Sequence, residues 1–490
     1  LVNQHKCYYF LLTIIFNNKL ITMRIDQKHF PKLLFTILCL IILTSYWKVQ
    51  QDDAYIFYSY ASNIEGGNGY VFNNGEKINA TTSPLYTLLV SFTYHNVKWM
   101  SNVTVPLVAH LIGFVSLWLL CYFGYKIFEH LNFKTGALLF PIIFLANPLL
   151  RNAVGMEIFL TLMLIMASLF AYLKNKMYLF WLVGALAVLA RFDSILIILI
   201  VFIYDLITTK KINYKPIILF VVLLLPWFIY SYFYFGELLP RSIYVKIQQG
   251  ASGYWGDGSL FFSHFFSSFP GGAALGLIIT ILGLAGFVIT SIIDKKYILN
   301  KATLIIIIWQ VLLFLIYGLF LNPPGYQWYY TFYAIIITWG FVLAFEAVVI
   351  KFNIQKTLVY AAYLIIFILA MVLPYKTFFK PYTSKYIVYK SAAEWLNLNA
   401  EFGSNIAADE VGILRFFYQK GKVHDVLGLT SNHSIKDFKY QKPSYMLVNY
   451  PNPPEYLKYT KEAVFKNDYA ARTIIRGGDQ KLIIYEKIKQ

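Results

Sequence analysis

Charge is scarce in this chain: of 490 residues only 13% are Asp, Glu, Lys or Arg, while 58% are hydrophobic and 19% aromatic. That excess excludes a soluble globular protein of ordinary composition and describes a polytopic membrane protein. Acids are the scarcer sign, 24 against 42 Lys and Arg, for a formal net charge of +18. The lysines cluster on short loops between apolar runs, where the positive-inside rule puts them, so the surplus faces cytoplasm and the bilayer is the partner, with no nucleic acid called for. Cysteine is almost lacking. Cys7, Cys39 and Cys121 all lie in or beside apolar runs, which excludes a disulfide framework and a CxxC metal site. The eight histidines are scattered without ligand spacing, so no zinc site is expected. No cofactor is called for, and a divalent cation, left open, would have to be held by carboxylates.

Apolar segments fall at 33–47, 103–125, 135–149, 155–173, 177–190, 193–207, 215–235, 271–292, 302–320, 329–350 and 357–374. These make about eleven spans, several shorter than the roughly twenty residues an upright helix needs. A further apolar patch, Leu85 to Tyr94, is too short to span. Laid on the membrane surface as a juxtamembrane half-helix, it brings the basic loops into register. Lys126 and Lys134, Lys174 and Lys176, Lys210 and Lys211, Lys295 and Lys296, and Lys351 and Lys356 then all face the cytoplasm.

Three divisions follow. Residues 1–22, ahead of Met23, read as an upstream extension. Residues 23–374 form the membrane domain, with a long first outer loop at 48–102. Residues 375–490 turn polar and basic and read as a soluble extracytoplasmic α/β domain, with a helix at 386–398 and strands at 405–408, 422–426, 445–448 and 481–488.

The first outer loop carries the densest signal. It opens on Asp52 and Asp53, a few residues after lipid-like side chains, where a carboxylate is costly unless it has a partner or a task. A short tyrosine-bearing helix from Ala54 to Ile64 is expected, then turns rich in Gly and Asn. The ordered block Asp52-Asp53-Ala54-Tyr55-Ile56, Tyr60-Ala61-Ser62-Asn63, Gly67 to Glu76 and Thr82-Ser83-Pro84-Leu85 resembles the first extracytoplasmic loop of the GT-C class of membrane glycosyltransferases. The branch it resembles contains the mycobacterial terminal arabinofuranosyltransferase and related surface-polysaccharide enzymes. Gly155-Met156-Glu157, Arg191-Phe192-Asp193, the stretch from Phe235 to Lys246, and Val423 to Leu429 are similar to further blocks of that branch. Arg241 departs from the usual asparagine, and Gln327-Trp328-Tyr329 lacks the usual arginine.

The resemblance implies a GT-C-like fold and transfer of one sugar from a polyprenyl-phosphate donor to a glycan, lipid or protein acceptor. The setting it implies is the outer face of the bacterial cytoplasmic membrane. Such chemistry asks for a general base with a raised pKa, for which Asp52 is the first candidate and Asp53 its electrostatic neighbour. A single displacement with one base inverts the anomeric centre. The leaving phosphate needs fixed cations, assigned to Lys246, Arg191 and Arg241. Tyr55, Tyr60, Asn63, Thr82, Ser83, Glu157 and Trp328 are the expected substrate contacts. Trp255 and Tyr329 could stack on sugars, although aromatics are common at that boundary anyway. Two other readings stay open: a polymerase or ligase that moves a whole glycan, and a secondary transporter, which should show paired broken spans in two halves.

Overall fold

The computed structural model describes residues 30–251, 259–321, 323, 326–431, 442–450 and 462–488. The extension at 1–22 and Trp255 lie outside them. Helix α1 (Phe30–Tyr46) leads into two helices of the first long loop, α2 (Asp52–Glu65) and α3 (Pro84–Val97). Six helices follow: α4 (Val105–His130), α5 (Lys134–Ala146), α6 (Ile158–Leu173), α7 (Met177–Ala190), α8 (Ile195–Thr209) and α9 (Tyr214–Phe235). After the short α10 (Arg241–Ala251) and α11 (Ser259–Ser267), the bundle closes with α12 (Ala273–Ile293), α13 (Lys301–Leu315), α14 (Ala334–Lys351) and α15 (Lys356–Phe378).

Among the described residues seven helices are long and apolar enough to cross a membrane, and four shorter apolar ones, α1, α5, α6 and α7, accompany them. Seven and four match the eleven apolar segments of the sequence one for one. The patch Leu85 to Tyr94 falls within α3, whose 14 residues reach about 21 Å at 1.5 Å per residue, short of the roughly 30 Å hydrocarbon layer. It packs on α2, α4 and α7 instead.

Two devices, one polar and one steric, hold the bundle. Glu346, 4% exposed, accepts the Gly136 amide at 2.6 Å and the Thr135 hydroxyl, satisfying one of the free N–H groups at the start of α5. The α12–α14 crossing is built on glycine: a Cβ at Gly340 would sit 1.9 Å from the Gly283 carbonyl oxygen, and one at Gly286 2.2 Å from that of Gly340. Backbones can approach this closely only where side chains are absent, the usual way membrane helices gain packing without a hydrophobic drive.

The C-terminal domain begins with α16 (Ser384–Asn399) and continues β1 (Ile406–Ala408), α17 (Gly412–Phe417), β2 (Val423–Asp425), β3 (Tyr445–Tyr450), α18 (Ala463–Asp468), β4 (Tyr469–Gly477) and β5 (Gln480–Lys487). The strand order is β2-β1-β3-β5-β4. Ile406 of β1 lies opposite Val423 and Tyr445 in parallel register, while β5 runs antiparallel to β3 and β4. All four expected strands are present. The fifth, β4, is an edge strand whose residues are mostly exposed or half-exposed, so it lacks the apolar alternation that marks a buried strand.

The glycine crossing gives a direct test. Gly340→Leu overpacks a backbone contact that has no room to yield, at a cost of about 1–3 kcal/mol or more. Thermal unfolding of the purified protein in detergent should therefore start at a lower temperature. An unchanged transition would mean that α12 and α14 do not meet at this point.

Candidate active site

The first long loop, the turns before α6 and α8, α10, the turn before α14 and the C-terminal domain all meet at one end of the bundle. A narrow polar chamber there is lined by Asp53, Thr82, Glu157, Arg191, Ser242, Lys246, Trp328 and Leu429, among others. Thr82, Arg191, Ser242 and Lys246 also line an adjoining cavity of about 200 Å³, whose other walls include Phe192, Ile243, Ile247, Leu321 and Pro323. A polar chamber thus gives onto a mainly apolar one.

Helix α2 starts at Asp52, with Gln51 as its N-cap, so both acids lie in its first turn, where the helix dipole favours them. Asp52, the first candidate for the base, does not line the chamber and is engaged on its other side. Its carboxylate accepts the Gly412 amide at 3.0 Å and the Ile413 amide at 2.9 Å, satisfying free N–H groups at the start of α17. Gly412 is required by the closeness of this contact, since a Cβ there would stand 2.0 Å from the Asp52 carbonyl oxygen. Asp53, one residue on, turns to the chamber. Among the described residues no hydrogen bond or ion pair ties it down. Burial holds its pKa above the usual carboxylate range; Lys246 opposes that rise, and Glu410 and Glu157 add to it.

Glu157 is set by a clamped turn. Gly155 has φ +78°, and its carbonyl accepts the hydroxyls of Tyr58 at 2.8 Å and Tyr86 at 2.7 Å. A Cβ on Gly155 would lie 2.5 Å from the Tyr58 oxygen. The Glu157 carboxylate meets Arg191 Nη1 at 2.7 Å through Oε1, while its buried Oε2 has no partner among the described residues. Arg191 also binds Asp193, through Nη2 at 2.6 Å and Nε at 3.1 Å, and its Nη2 donates to the Tyr317 hydroxyl at 3.2 Å. With two carboxylates on one guanidinium, Arg191 brings no net positive charge to the chamber.

Lys246 does. Its ammonium lies 5.0 Å from the ring centre of Tyr326, 5.4 Å from Tyr329 and 5.8 Å from Trp328, an aromatic cage that holds a cation by the ring quadrupoles. It also donates to the Tyr329 hydroxyl at 3.4 Å. Burial works against its charge, and the Tyr329 oxygen and the Asp53 carboxylate outweigh it, so its pKa is raised.

Other expected contacts are engaged elsewhere. Tyr55 donates to Gln50 at 2.9 Å and packs on Phe416. Tyr60 donates to the Ile78 carbonyl and accepts the Ala80 amide at 3.1 Å. Asn63 donates to the carbonyls of Val71 at 2.8 Å and Phe72 at 2.9 Å, and Ser83 caps α3 through the Tyr86 amide. These four brace the loop. Arg241 lines neither cavity; its amide donates to the Asn79 carbonyl at 2.8 Å. Ser242, Tyr326 and Leu429 were not expected at the site. Leu429 arrives there because Asp425 accepts the amides of Leu427 and Leu429, both at 2.8 Å, folding the turn after β2. Burial pushes the Asp425 pKa up to about 7. Among the described residues, no three His, Cys, Asp or Glu side chains gather as a metal site would require.

No family model matches this sequence, and no curated protein does. Fifteen chains among solved structures match in fold, one of them ArnT from Cupriavidus metallidurans in the apo state. The likeness covers 92% of this chain and 97% of that one, with a TM-score of 0.55 at 12% identity. The fold is therefore GT-C-like. It is shared with ArnT across both the membrane bundle and the C-terminal domain, in a multi-pass membrane protein.

The Asp52 contact predicts a separation of roles. Asp52→Ala leaves two buried amides without an acceptor, at about 1–3 kcal/mol. Limited proteolysis should then release the C-terminal domain from the bundle sooner than in the parent. Equal protection would show that the contact does not hold the domains together.

Proposed function

We propose that this chain transfers a single sugar from a polyprenyl-phosphate donor to a glycan, lipid or protein acceptor at the extracytoplasmic face of the bacterial cytoplasmic membrane. The reading follows the branch resembled by the first loop. One observation carries it: an untethered carboxylate, Asp53, and a caged cation, Lys246, line the same polar chamber, which gives onto an apolar cavity.

In this reading the donor's phosphate rests on Lys246 and its first isoprenoid units enter the apolar cavity beside Ile243, Ile247 and Leu321. Asp53 is the general base. It takes the proton of the acceptor hydroxyl as that oxygen bonds to the anomeric carbon. The bond from that carbon to the phosphate oxygen breaks, and the charge released falls on Lys246. One displacement with one base inverts the anomeric centre. Glu157, through its unpaired oxygen, and Thr82 accept or donate to sugar hydroxyls, and Trp328 offers a stacking face. Arg191 fixes Glu157 and Asp193 and supports the phosphate only at second hand, because its charge is already met.

Asp53→Asn keeps shape and removes basicity, so sugar transfer from a synthetic lipid donor should fall about a hundredfold to ten-thousandfold. Asp52→Asn should cost far less turnover; the reverse ranking would return the base role to Asp52. Asp53 must be ionised to act, so turnover should decline as pH drops through its raised pKa, above the ordinary value of about 3.9. Glu410→Gln removes a carboxylate that contributes to the rise and should move this acid limb to lower pH. Lys246→Met should weaken donor binding, seen as a higher donor KM. Unchanged donor affinity and turnover would remove Lys246 from the site.

A further inference from the structure

A third cavity is lined by none of the residues of the first two. Its volume is about 510 Å³, and its walls include Lys48, Arg151, Lys380, Lys385 and Asp479. These come from separate elements: Lys48 follows α1, Arg151 sits in the short 3-10 turn Pro148–Ala153 before α6, Lys380 follows α15, and Asp479 is in the β4–β5 turn. Because α1 and α15 are apolar helices that end beside it, the cavity stands at the level where a bilayer's phosphates lie.

The cations here are poorly matched by protein. Lys385 pairs with Glu410, but among the described residues no ion pair includes Lys48, Arg151 or Lys380. Arg151 is half-buried, and its Nε is sealed from solvent with no hydrogen-bond acceptor. A buried guanidinium donor left unmatched costs free energy unless something outside the chain satisfies it. Snorkelling accounts for Lys380, which is exposed, and for the half-buried Lys48; it does not explain the sealed Nε of Arg151.

We propose that this cavity is a second anion site, separate from the Lys246 chamber, that takes the phosphodiester of an anionic glycerophospholipid. Lys48, Arg151 and Lys380 surround the phosphate, and Asp479 accepts a headgroup hydroxyl. The lipid then bridges the bundle, through Lys48 and Arg151, to the C-terminal domain, through the β4–β5 turn. The assignment does not depend on the transferase reading and stands even if no sugar transfer is found.

The test uses the purified full chain, delipidated in detergent, with phosphatidylglycerol, phosphatidylethanolamine and inorganic phosphate added in parallel. Retention is followed by native mass spectrometry and stabilisation by thermal unfolding. Phosphatidylglycerol should be retained and should raise the unfolding temperature more than the other two. Lys380→Gln, at an exposed position, and Arg151→Gln should each weaken retention about fivefold, as expected for one cation near a lipid surface, while Arg151→Lys should keep most of it. Lipid retention that these variants leave unchanged would overturn the site. Equal stabilisation by inorganic phosphate would overturn the lipid assignment, and so would equal retention of phosphatidylethanolamine.

Discussion

The carboxylate of Asp52 on the first turn of α17 is the contact from which the upper part of this molecule is organised. A short helix has few ways to satisfy its first amides, and here two of them close on one acid from the membrane loop. Neighbouring contacts reinforce it. Asn73 and Val423 exchange two hydrogen bonds of 2.9 and 3.1 Å, Lys422 pairs with Glu76 at 2.9 Å, and Arg415 donates to the Phe72 carbonyl at 3.1 Å. The domain is held against the loop by main-chain and charged groups together, so its turn after β2 can serve as a wall of the chamber.

That arrangement divides two adjacent acids by direction alone. Successive residues of a helix point about 100° apart, so if Asp52 faces the C-terminal domain, Asp53 must face elsewhere, and here it faces the chamber. The same economy governs the cations. Arg191 is the better phosphate ligand by geometry, yet two carboxylates and a tyrosine already occupy it. Lys246, surrounded by rings that hold a cation without cancelling its charge, keeps its charge for a ligand. The chamber therefore combines a free negative group and a free positive group with a neutralised scaffold between them.

Agreement with ArnT at 12% identity has a physical basis. In a bilayer any apolar side chain suits a lipid-facing position, so helix positions can persist while sequence drifts. Close packing is less tolerant: at the Gly283, Gly286 and Gly340 crossing of this chain an added side chain would run into backbone.

Much of this is legible in the sequence. Hydrophobic runs marked the eleven helices, because lipid demands apolar length and local hydrogen bonding regardless of distant contacts. Short patterned segments marked four strands of the tail, the ordered block of the first loop marked the two acids, and separate later blocks marked Glu157, Arg191 and Lys246. The sequence could not assign their directions. Tyr55, Tyr60 and Asn63 read as sugar contacts because their chemistry suits sugars, but Tyr60 and Asn63 bond the loop's own backbone and Tyr55 bonds the Gln50 side chain. Asp52 and Asp53 are indistinguishable in composition and spacing, and what separates them is a helix start 360 residues away. Lys246 similarly meets its cage across 83 residues. The sequence alone determined which segments enter the membrane and which residues could do chemistry. Only the tertiary structure decided which of those residues remain free to do it, because a side chain's freedom depends on partners that folding brings from far along the chain.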